Sequence, residues 1–451
     1  VSDVSLSYDD GTIRIEGSQA LDEQALGDAV VYDERSQTGR VPAYQYGSVR
    51  NALAQRSVSV TDNVLAVPTV TFSSDYRLRS YQQQALESWN AAGRRGVLEL
   101  PTGSGKTVIG LAAIEACATS TLVVVPTIDL LEQWDRELAP AAKDSVGRLG
   151  GGEQRVADLT VATYDSAYLR AAELGDRFGL VVFDEVHHLG AEGYRDIARF
   201  LAAPTRLGLT ATFERPDGAH EVVAELLGPV VDRLTPEELA GEHLAPYDIK
   251  RIAVELTPEE RETYERHQGT FTDYLAESNL SISSGAEYQQ LVKRSGTDPQ
   301  AREALLAKQR AKAVTTHASR KTERLRELLA RHHDDRVLVF TTSTELVYKL
   351  AERFLMPAIT HETGADERHA ILDRFREGTY TRIITANVLN EGVDVPDANV
   401  AVVLAGSGSQ REFTQRLGRI LRPSDDRGRA RLYELVTTDT AEMRVAKRRR
   451  K

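Results

Sequence analysis

The run LPTGSGKT, residues 100–107, has the make-up of a loop that wraps phosphate. It follows the apolar segment GVLEL and opens the helical segment TVIGLAAIEA. Small residues let backbone N–H groups crowd around phosphate oxygens, and a helix N-terminus adds a favourable dipole. Thr102, Gly103, Ser104 and Gly105 are expected to form the cradle. Lys106 is expected to reach the β- and γ-phosphates, and the Thr107 hydroxyl to hold Mg²⁺. Leu100 stands where the general pattern has glycine.

Such a loop needs an acid at the end of a neighbouring strand, and VVFDEVHHLG, residues 181–190, supplies two. Asp184 is expected to hold Mg²⁺ through water, and Glu185 to orient and activate the attacking water. His187 reads as a sensor bridging the nucleotide to a second unit, and His188 as a packing or capping residue. Adjacent histidines on an extended strand end point apart, which argues against zinc. ATP and Mg²⁺ are therefore the expected cofactors.

The elements that must position these groups follow from the rest of the chain. Its 451 residues exceed one ordinary core, so about three or four units are expected. Hydrophobic residues make up 41% and charged residues 27%, a globular balance, and no apolar run approaches the roughly 20 residues that span a bilayer. The opening VSDVSLSYDDGT is acidic and polar, unlike a signal peptide, and lacks an initiator Met. A cytoplasmic location is expected. The lone cysteine, Cys117, excludes an internal disulfide and reads as a buried small hydrophobe. Net charge is −11, so a nucleic-acid partner would need a local basic groove.

Residues 1–70 read as short strands and one helix. SLSYDDGTIRIEG is a hairpin with DG at its turn, and QYGSVRNALAQR is an amphipathic helix. AVPTVTFSSDYR is an extended linker. Over 71–250 short branched runs (GVLEL, TLVVVP, LTVAT, LVVFDE, RLGLT) alternate with helical segments, as buried parallel strands do. Residues 251–320 read as helical, with Thr257 capping and Pro258 at the first helical position, and with SISSGAEYQQ and SGTDPQ as loop-like breaks. A second alternation (RVLVFTT, PAITHET, RIITAN, NVAVVLAG, RLYELV) fills 321–451. The expected class is α/β, with two RecA-like parallel-sheet domains, a small α+β N-terminal domain and a helical thumb-like insertion. The tail RVAKRRRK is a solvated end or a nucleic-acid contact.

These runs, in this order, resemble the motifs of superfamily 2 helicases. LRSYQ, 78–82, is similar to the adenine-reading motif, which implies Arg79 and Gln82 at the base. VVVPT and VATYDS resemble strand-track motifs and imply DNA contacts at Thr127 and Thr163. DEVH, LTAT, VLVFTT and TANVLNEGVDVP resemble motifs II to V, the last two implying DNA contacts at Thr341 and Thr385. QRLGRILR, 415–422, resembles motif VI. Arg419 and Arg422, three apart on one helix face, would reach the γ-phosphate as arginine fingers. Gln415 would contact the same water or His187.

DEVHH, RILRPS, AGSGSQREFTQRLGR and GLTATFERPDG resemble the XPB family of repair and transcription helicases and its archaeal members. The resemblance implies a damage-recognition domain at the N-terminus, a helical thumb, and a charged Arg-Glu-Asp motif in the first RecA-like domain. That motif falls at Arg215-Pro216-Asp217, with Pro216 in place of Glu and Glu214 outside the slot. Arg215 and Asp217 would meet DNA. Tyr44 and Tyr46 are candidates for base stacking or strand packing. The implied activity is ATP-dependent 3′–5′ movement on DNA in nucleotide excision repair, and in transcription as a further role. The implied partners are DNA at single-strand/duplex junctions, a nuclease, and repair or transcription factors. An RNA-dependent or nuclease-associated ATPase shares every ATP motif, and Pro216 favours an ATP-gated DNA clamp that does not unwind.

Overall fold

The computed structural model describes residues 4–17, 30–55, 59–65, 67–140, 142, 146–215, 217–239, 247–278, 280, 282, 285–386, 398–405 and 430–448. The chain divides into two compact units, one holding Val1–Leu100 and Gly105–Leu234, the other Pro101–Ser104 and Thr235–Lys451.

The first unit begins with a mixed sheet of β1 (Val4–Asp9), β2 (Thr12–Glu16), β3 (Val31–Asp33), β4 (Thr38–Pro42) and β5 (Val60–Asn63), in the order β3-β4-β2-β1-β5. The β1–β2 turn falls at Asp10 and Gly11, both left-handed, as a two-residue hairpin demands. Val4, Leu6, Ile13 and Ile15 alternate onto one face and pack with the helix α1 (Tyr46–Gln55) through Tyr46, Val49 and Leu53. The small sheet is fastened to the larger domain beside it. The Tyr8 hydroxyl accepts from Gly11 N at 2.9 Å and lies 2.8 Å from the Ala172 carbonyl. Burial pushes the Tyr8 phenol up to about 12.

That larger domain carries β6 (Arg95–Glu99), β7 (Thr121–Val125), β8 (Gly147–Gly150), β9 (Glu153–Arg155), β10 (Leu159–Thr163), β11 (Leu180–Asp184), β12 (Thr205–Thr210) and β13 (Val230–Arg233). The sheet order is β13-β6-β12-β11-β7-β10-β8-β9, parallel except for the β8–β9 hairpin. Its helices are α2 (Ser80–Ala91), α3 (Lys106–Cys117), α4 (Ile128–Leu138), α5 (Tyr164–Leu169), α6 (Arg195–Phe200) and α7 (His220–Leu227). The branched runs are continuous because both sheet faces are covered. Leu98, Val123 and Val182 face one core; Val97, Val124 and Val181 face the other.

The second unit has an all-parallel sheet of β14 (Tyr247–Val254), β15 (Val337–Thr341), β16 (Ala358–Ile359), β17 (Arg382–Ala386), β18 (Val400–Val403) and β19 (Ala430–Thr437). Its order is β14-β19-β18-β15-β17-β16. The helices are α8 (Pro258–Glu277), α9 (Gly285–Arg294), α10 (Pro299–Thr316), α11 (Ser319–Arg331), α12 (Thr344–Phe354), α13 (Ala365–Glu377) and α14 (Ala441–Arg448). Thr257 and Glu260 form the capping box expected ahead of α8, with Pro258 in its first turn.

Two boundaries differ from the sequence reading. Residues 251–254 are not helical: they finish β14, which pairs with β19 over eight residues. A strand at a sheet edge, polar on one side, lacks the continuous apolar run that marks its neighbours. Gly285–Arg294 is a helix, not a break, because Tyr288 and Leu291, three apart, pack against Phe271, Tyr274 and Leu305. Among the described residues, no helix is long and apolar enough to cross a membrane.

Candidate nucleotide site and nucleic-acid face

The nucleotide-site candidates of the first unit gather at the carboxyl ends of its parallel strands, where open α/β sheets bind ligands. The phosphate loop leaves β6 and enters α3, with Gly103 and Gly105 in left-handed conformation. Gly105 also has a steric reason to be glycine: a Cβ there would sit 2.5 Å from Gln82 Nε2. Gln82 is 4% exposed. Its Oε1 accepts from Arg79 N at 2.9 Å, while its Nε2 points at the Gly105 carbonyl, 3.5 Å away. The structure thus joins the adenine-reading candidates to the loop they are expected to serve. Lys106 Nζ donates to the Leu100 carbonyl at 3.2 Å, and Thr107 follows it in the first turn of α3. The Thr102 hydroxyl is buried with no hydrogen-bond partner among the described residues.

Asp184 ends β11 and is 4% exposed. Burial pushes its carboxyl upward, against the Trp134 indole, the Lys106 charge and the Glu185 backbone, which all favour the ionised form. Trp134 Nε1 donates to Oδ2 at 2.9 Å, and Glu185 N donates to Oδ1 at 2.9 Å. A buried, oriented carboxylate beside a lysine fits a divalent cation held through water. Glu185 has left-handed backbone, φ 47° and ψ 52°, a strained setting for a residue with a side chain. Its buried Oε2 makes no hydrogen bond among the described residues and lies 3.5 Å from His187 Nδ1. His187 Nδ1 is 3.1 Å from the Thr210 hydroxyl at the end of β12, so the DEVH and LTAT runs meet through one contact.

The two histidines do not point apart. They sit on a 3₁₀ turn, Val186–Gly190, rather than on an extended end, and their ring centroids are 4.5 Å apart. His188 packs near Tyr164, as a packing residue would, at 5.8 Å between centroids.

Trp134 was not singled out in the sequence. The signal for it was modest: one of two tryptophans, at helical spacing, with an indole N–H that needs an acceptor once buried. Trp134→Phe removes that donor and keeps the ring. The Mg²⁺ concentration for half-maximal hydrolysis should rise roughly tenfold, the usual cost of a lost outer contact to a metal ligand. A metal titration of ATPase rate checks this.

The nucleic-acid candidates divide. Thr127 caps α4 by accepting from Leu130 N at 3.3 Å, and Thr163 caps α5 by accepting from Ser166 N at 3.3 Å. Both stand at carboxyl ends of neighbouring strands, β7 and β10. The β8–β9 turn joins them: a Cβ on Gly150 would lie 2.8 Å from Thr163 Cγ2, and one on Gly151 3.6 Å from Ile128 Cγ2. This GGG turn, 150–152, went unassigned in the sequence, although three successive glycines signal close backbone approach. Thr341 and Thr385, by contrast, are each 0% exposed, so their side chains do not present a DNA-binding surface in this structure. Being small and β-branched they fit the strand interior. Tyr46 is buried, its hydroxyl 2.6 Å from Asp62, and Tyr44 reaches Glu225 on α7 at 3.0 Å. Tyr46 is a packing residue, and the Tyr44 hydroxyl is spent on the adjoining domain.

Arg215 and Asp217, expected to meet DNA, pair with each other, and the Asp217 side chain stays exposed. Arg215 Nε and Nη2 donate to the two Asp217 oxygens at 3.0 and 2.6 Å, and Nη1 donates to the His187 carbonyl at 2.8 Å. The Arg215 guanidinium holds the Asp217 carboxyl far below the usual carboxylate range. The pair neutralises itself, and Arg215 clasps the Val186–Gly190 turn. Pro216, the 387–397 part of motif V, and Gln415, Arg419 and Arg422 lie outside the described residues.

The loop 100–107, the Asp184–Glu185 pair and His187 on one parallel sheet mark a RecA-like nucleotide-hydrolysing motor domain. Comparison with known proteins narrows that class. Residues 6–64 match the xeroderma pigmentosum group B helicase damage recognition domain, and residues 302–451 the ERCC3/RAD25/XPB C-terminal helicase. Residues 75–215 match the type III restriction enzyme res subunit. The DNA 3′-5′ translocase XPB2 of Sulfurisphaera tokodaii is 43% identical over 409 residues, 90% of this chain and 92% of that one. The putative DNA 3′-5′ helicase Rad25 of Halobacterium salinarum is 30% identical, over 97% of this chain and 68% of the relative. The DNA 3′-5′ helicase XPB of Mycobacterium tuberculosis is 31% identical, over 86% and 65%. The crystal structure of the Pyrococcus furiosus Hef helicase domain superposes with a TM-score of 0.52 at 20% identity, over 83% of this chain and 98% of the other, and shares the fold. The chain belongs to the XPB/Rad25 family of DNA helicases.

Proposed function

We propose that the chain hydrolyses ATP to drive 3′–5′ movement on DNA as an XPB-type motor of nucleotide excision repair. The observation that carries this reading is the gathering of Gln82, Gly105, Lys106, Asp184, Glu185, His187 and Thr210 at the carboxyl ends of neighbouring parallel strands, with the Lys106 charge favouring ionised Asp184, in a chain of this family. Gln82 selects the base, the 102–107 loop and Lys106 hold the phosphates, and Glu185 takes the proton of the attacking water. Thr107 and Asp184 would hold Mg²⁺, which supplies neutralising charge at the β- and γ-phosphates. Arg419 and Arg422 complete the reading as γ-phosphate contacts, and Gln415 as a contact to the attacking water or His187.

DNA backbone follows the helix N-termini at Thr127 and Thr163 and the turn 150–152. Contacts of this kind give affinity without sequence preference. We read residues 1–70 as the damage-recognition-like domain, 71–246 as the first motor domain, 255–320 as the thumb-like insertion, and 321–451 with β14 as the second motor domain. A partner nuclease and repair or transcription factors belong to the same reading.

Hydrolysis measured without nucleic acid and with single-stranded DNA, forked duplex DNA or RNA tests it. Stimulation chiefly by DNA is expected; stimulation chiefly by RNA would overturn the substrate.

A second reading, translocation without strand opening, draws on Arg215. Its three guanidinium nitrogens are engaged by Asp217 and by the His187 carbonyl, so in this reading it acts on the catalytic turn rather than on DNA. Arg215→Ala should leave DNA affinity unchanged and lower hydrolysis per bound ATP about tenfold, the order of one charge-assisted hydrogen bond. Weakened DNA binding with normal turnover would return Arg215 to the DNA.

A further inference from the structure

The second unit holds a cavity of about 350 Å³ between α8, α10, the start of α14 and Ala405 after β18. That size lies at the lower end of organic-ligand pockets, roughly 300–1,000 Å³. Tyr264 and Phe271 line it with aromatic rings, and its charged lining residues are Lys308, Lys312, Arg444 and Glu442.

The charges do not balance. Both Glu442 carboxylate oxygens lie 2.8 Å from Lys321 Nζ, and one also accepts from Thr437 N at 2.9 Å. That acid is spent in a pair whose side chains are 2% and 12% exposed. Among the described residues, no carboxylate lies within 4.0 Å of the Lys308, Lys312 or Arg444 side-chain nitrogens. Lys308 is half-buried, its ammonium 4.9 Å from the Phe271 ring centroid and 4.1 Å from that of Tyr288. Lys312 follows one helical turn on, where like charges repel. Burial, and then Lys312, lower the Lys308 pKa. Ring faces offset part of the cost of a half-buried ammonium, but a bound anion would offset more.

We propose that this cavity binds an organic phosphate, its apolar body against Tyr264 and Phe271 and its phosphate toward Lys308, Lys312 and Arg444. Phosphate is the anion that several convergent cations suit, because each oxygen takes charge-assisted hydrogen bonds. The same chemistry has two sources, a free phosphate ester or a phosphate of the nucleic-acid backbone.

The test uses the full chain and pyridoxal 5′-phosphate, with saturating ADP to shield Lys106. A free lysine amine condenses with the aldehyde, releasing water, and borohydride reduces the imine to a stable amine that peptide mass locates. Lys308 should be labelled first, and Arg444→Gln, at an exposed position, should slow that labelling roughly tenfold, the cost of one phosphate-anchoring contact. Circular dichroism checks that the variant is folded. Phenyl phosphate and a short DNA duplex are then added separately. Protection by the ester assigns a free phosphate, protection by the duplex assigns backbone, and either sustains the site. Lys308 labelled no faster than exposed lysines, or equally fast in Arg444→Gln, would overturn it. The readout is independent of ATPase activity and of the motor reading.

Discussion

Lys106→Ala should abolish ATP hydrolysis, with a loss of at least about 100-fold in kcat, the order seen when a donor to developing charge is removed. Lys106 opens α3 directly after the left-handed Gly105, and its ammonium now rests 3.2 Å from the Leu100 carbonyl. Phosphate oxygens are stronger partners for an ammonium than a carbonyl is. Its charge also helps to keep the buried Asp184 ionised. Truncation therefore removes a phosphate contact and pushes Asp184 further toward its neutral form, which holds a cation poorly. Hydrolysis should fall at all Mg²⁺ concentrations, while the thermal transition stays near that of the parent because Lys106 is partly exposed. Turnover close to the parent's would sink the nucleotide assignment itself.

Glu185→Gln should separate binding from chemistry. The substitution keeps shape and removes the base. ATP affinity, read by a fluorescent nucleotide analogue, should stay within about threefold, while turnover falls about 100-fold or more, the range of a lost general base. The Glu185 backbone reinforces this expectation. Left-handed geometry at a non-glycine residue persists only where the surroundings hold it, and here Glu185 N is tied to Asp184 Oδ1. Glutamine inherits that tie, so the side chain stays where it is and only its proton chemistry is lost. A variant that loses ATP binding, yet turns over each bound ATP at the parent rate, would show that Glu185 is a structural acid.

The clasp between Arg215 and the His187 carbonyl gives the loop after β12 a direct hold on the Val186–Gly190 turn. A second hold runs from His187 Nδ1 through the Thr210 hydroxyl at the end of β12. Both holds end on His187, two residues after Glu185. The family resemblance implied an element that meets DNA. The geometry also ties it to the Val186–Gly190 turn.

What the sequence determined by itself was the class and the chemistry. Both rest on local pattern. The five branched runs of the first parallel sheet read correctly because strands buried on both faces must be apolar throughout. Thr257-Pro258 and Asp10-Gly11 read correctly because capping and turn chemistry act over a few residues. The loop 100–107 and the Asp184–Glu185 pair could be singled out as candidates because phosphate chemistry demands those residue types at fixed spacing.

What only the tertiary structure decided were the partners across the chain. Trp134 meets Asp184 from fifty residues away, Gln82 meets Gly105 across a strand, and β14 meets β19 across most of the second unit. Thr341 and Thr385 turned out buried, and Arg215 turned out to bond Asp217 and the His187 carbonyl. Burial and pairing of a polar group depend on what packs over it, and that is set by contacts distant in sequence, which no local pattern encodes.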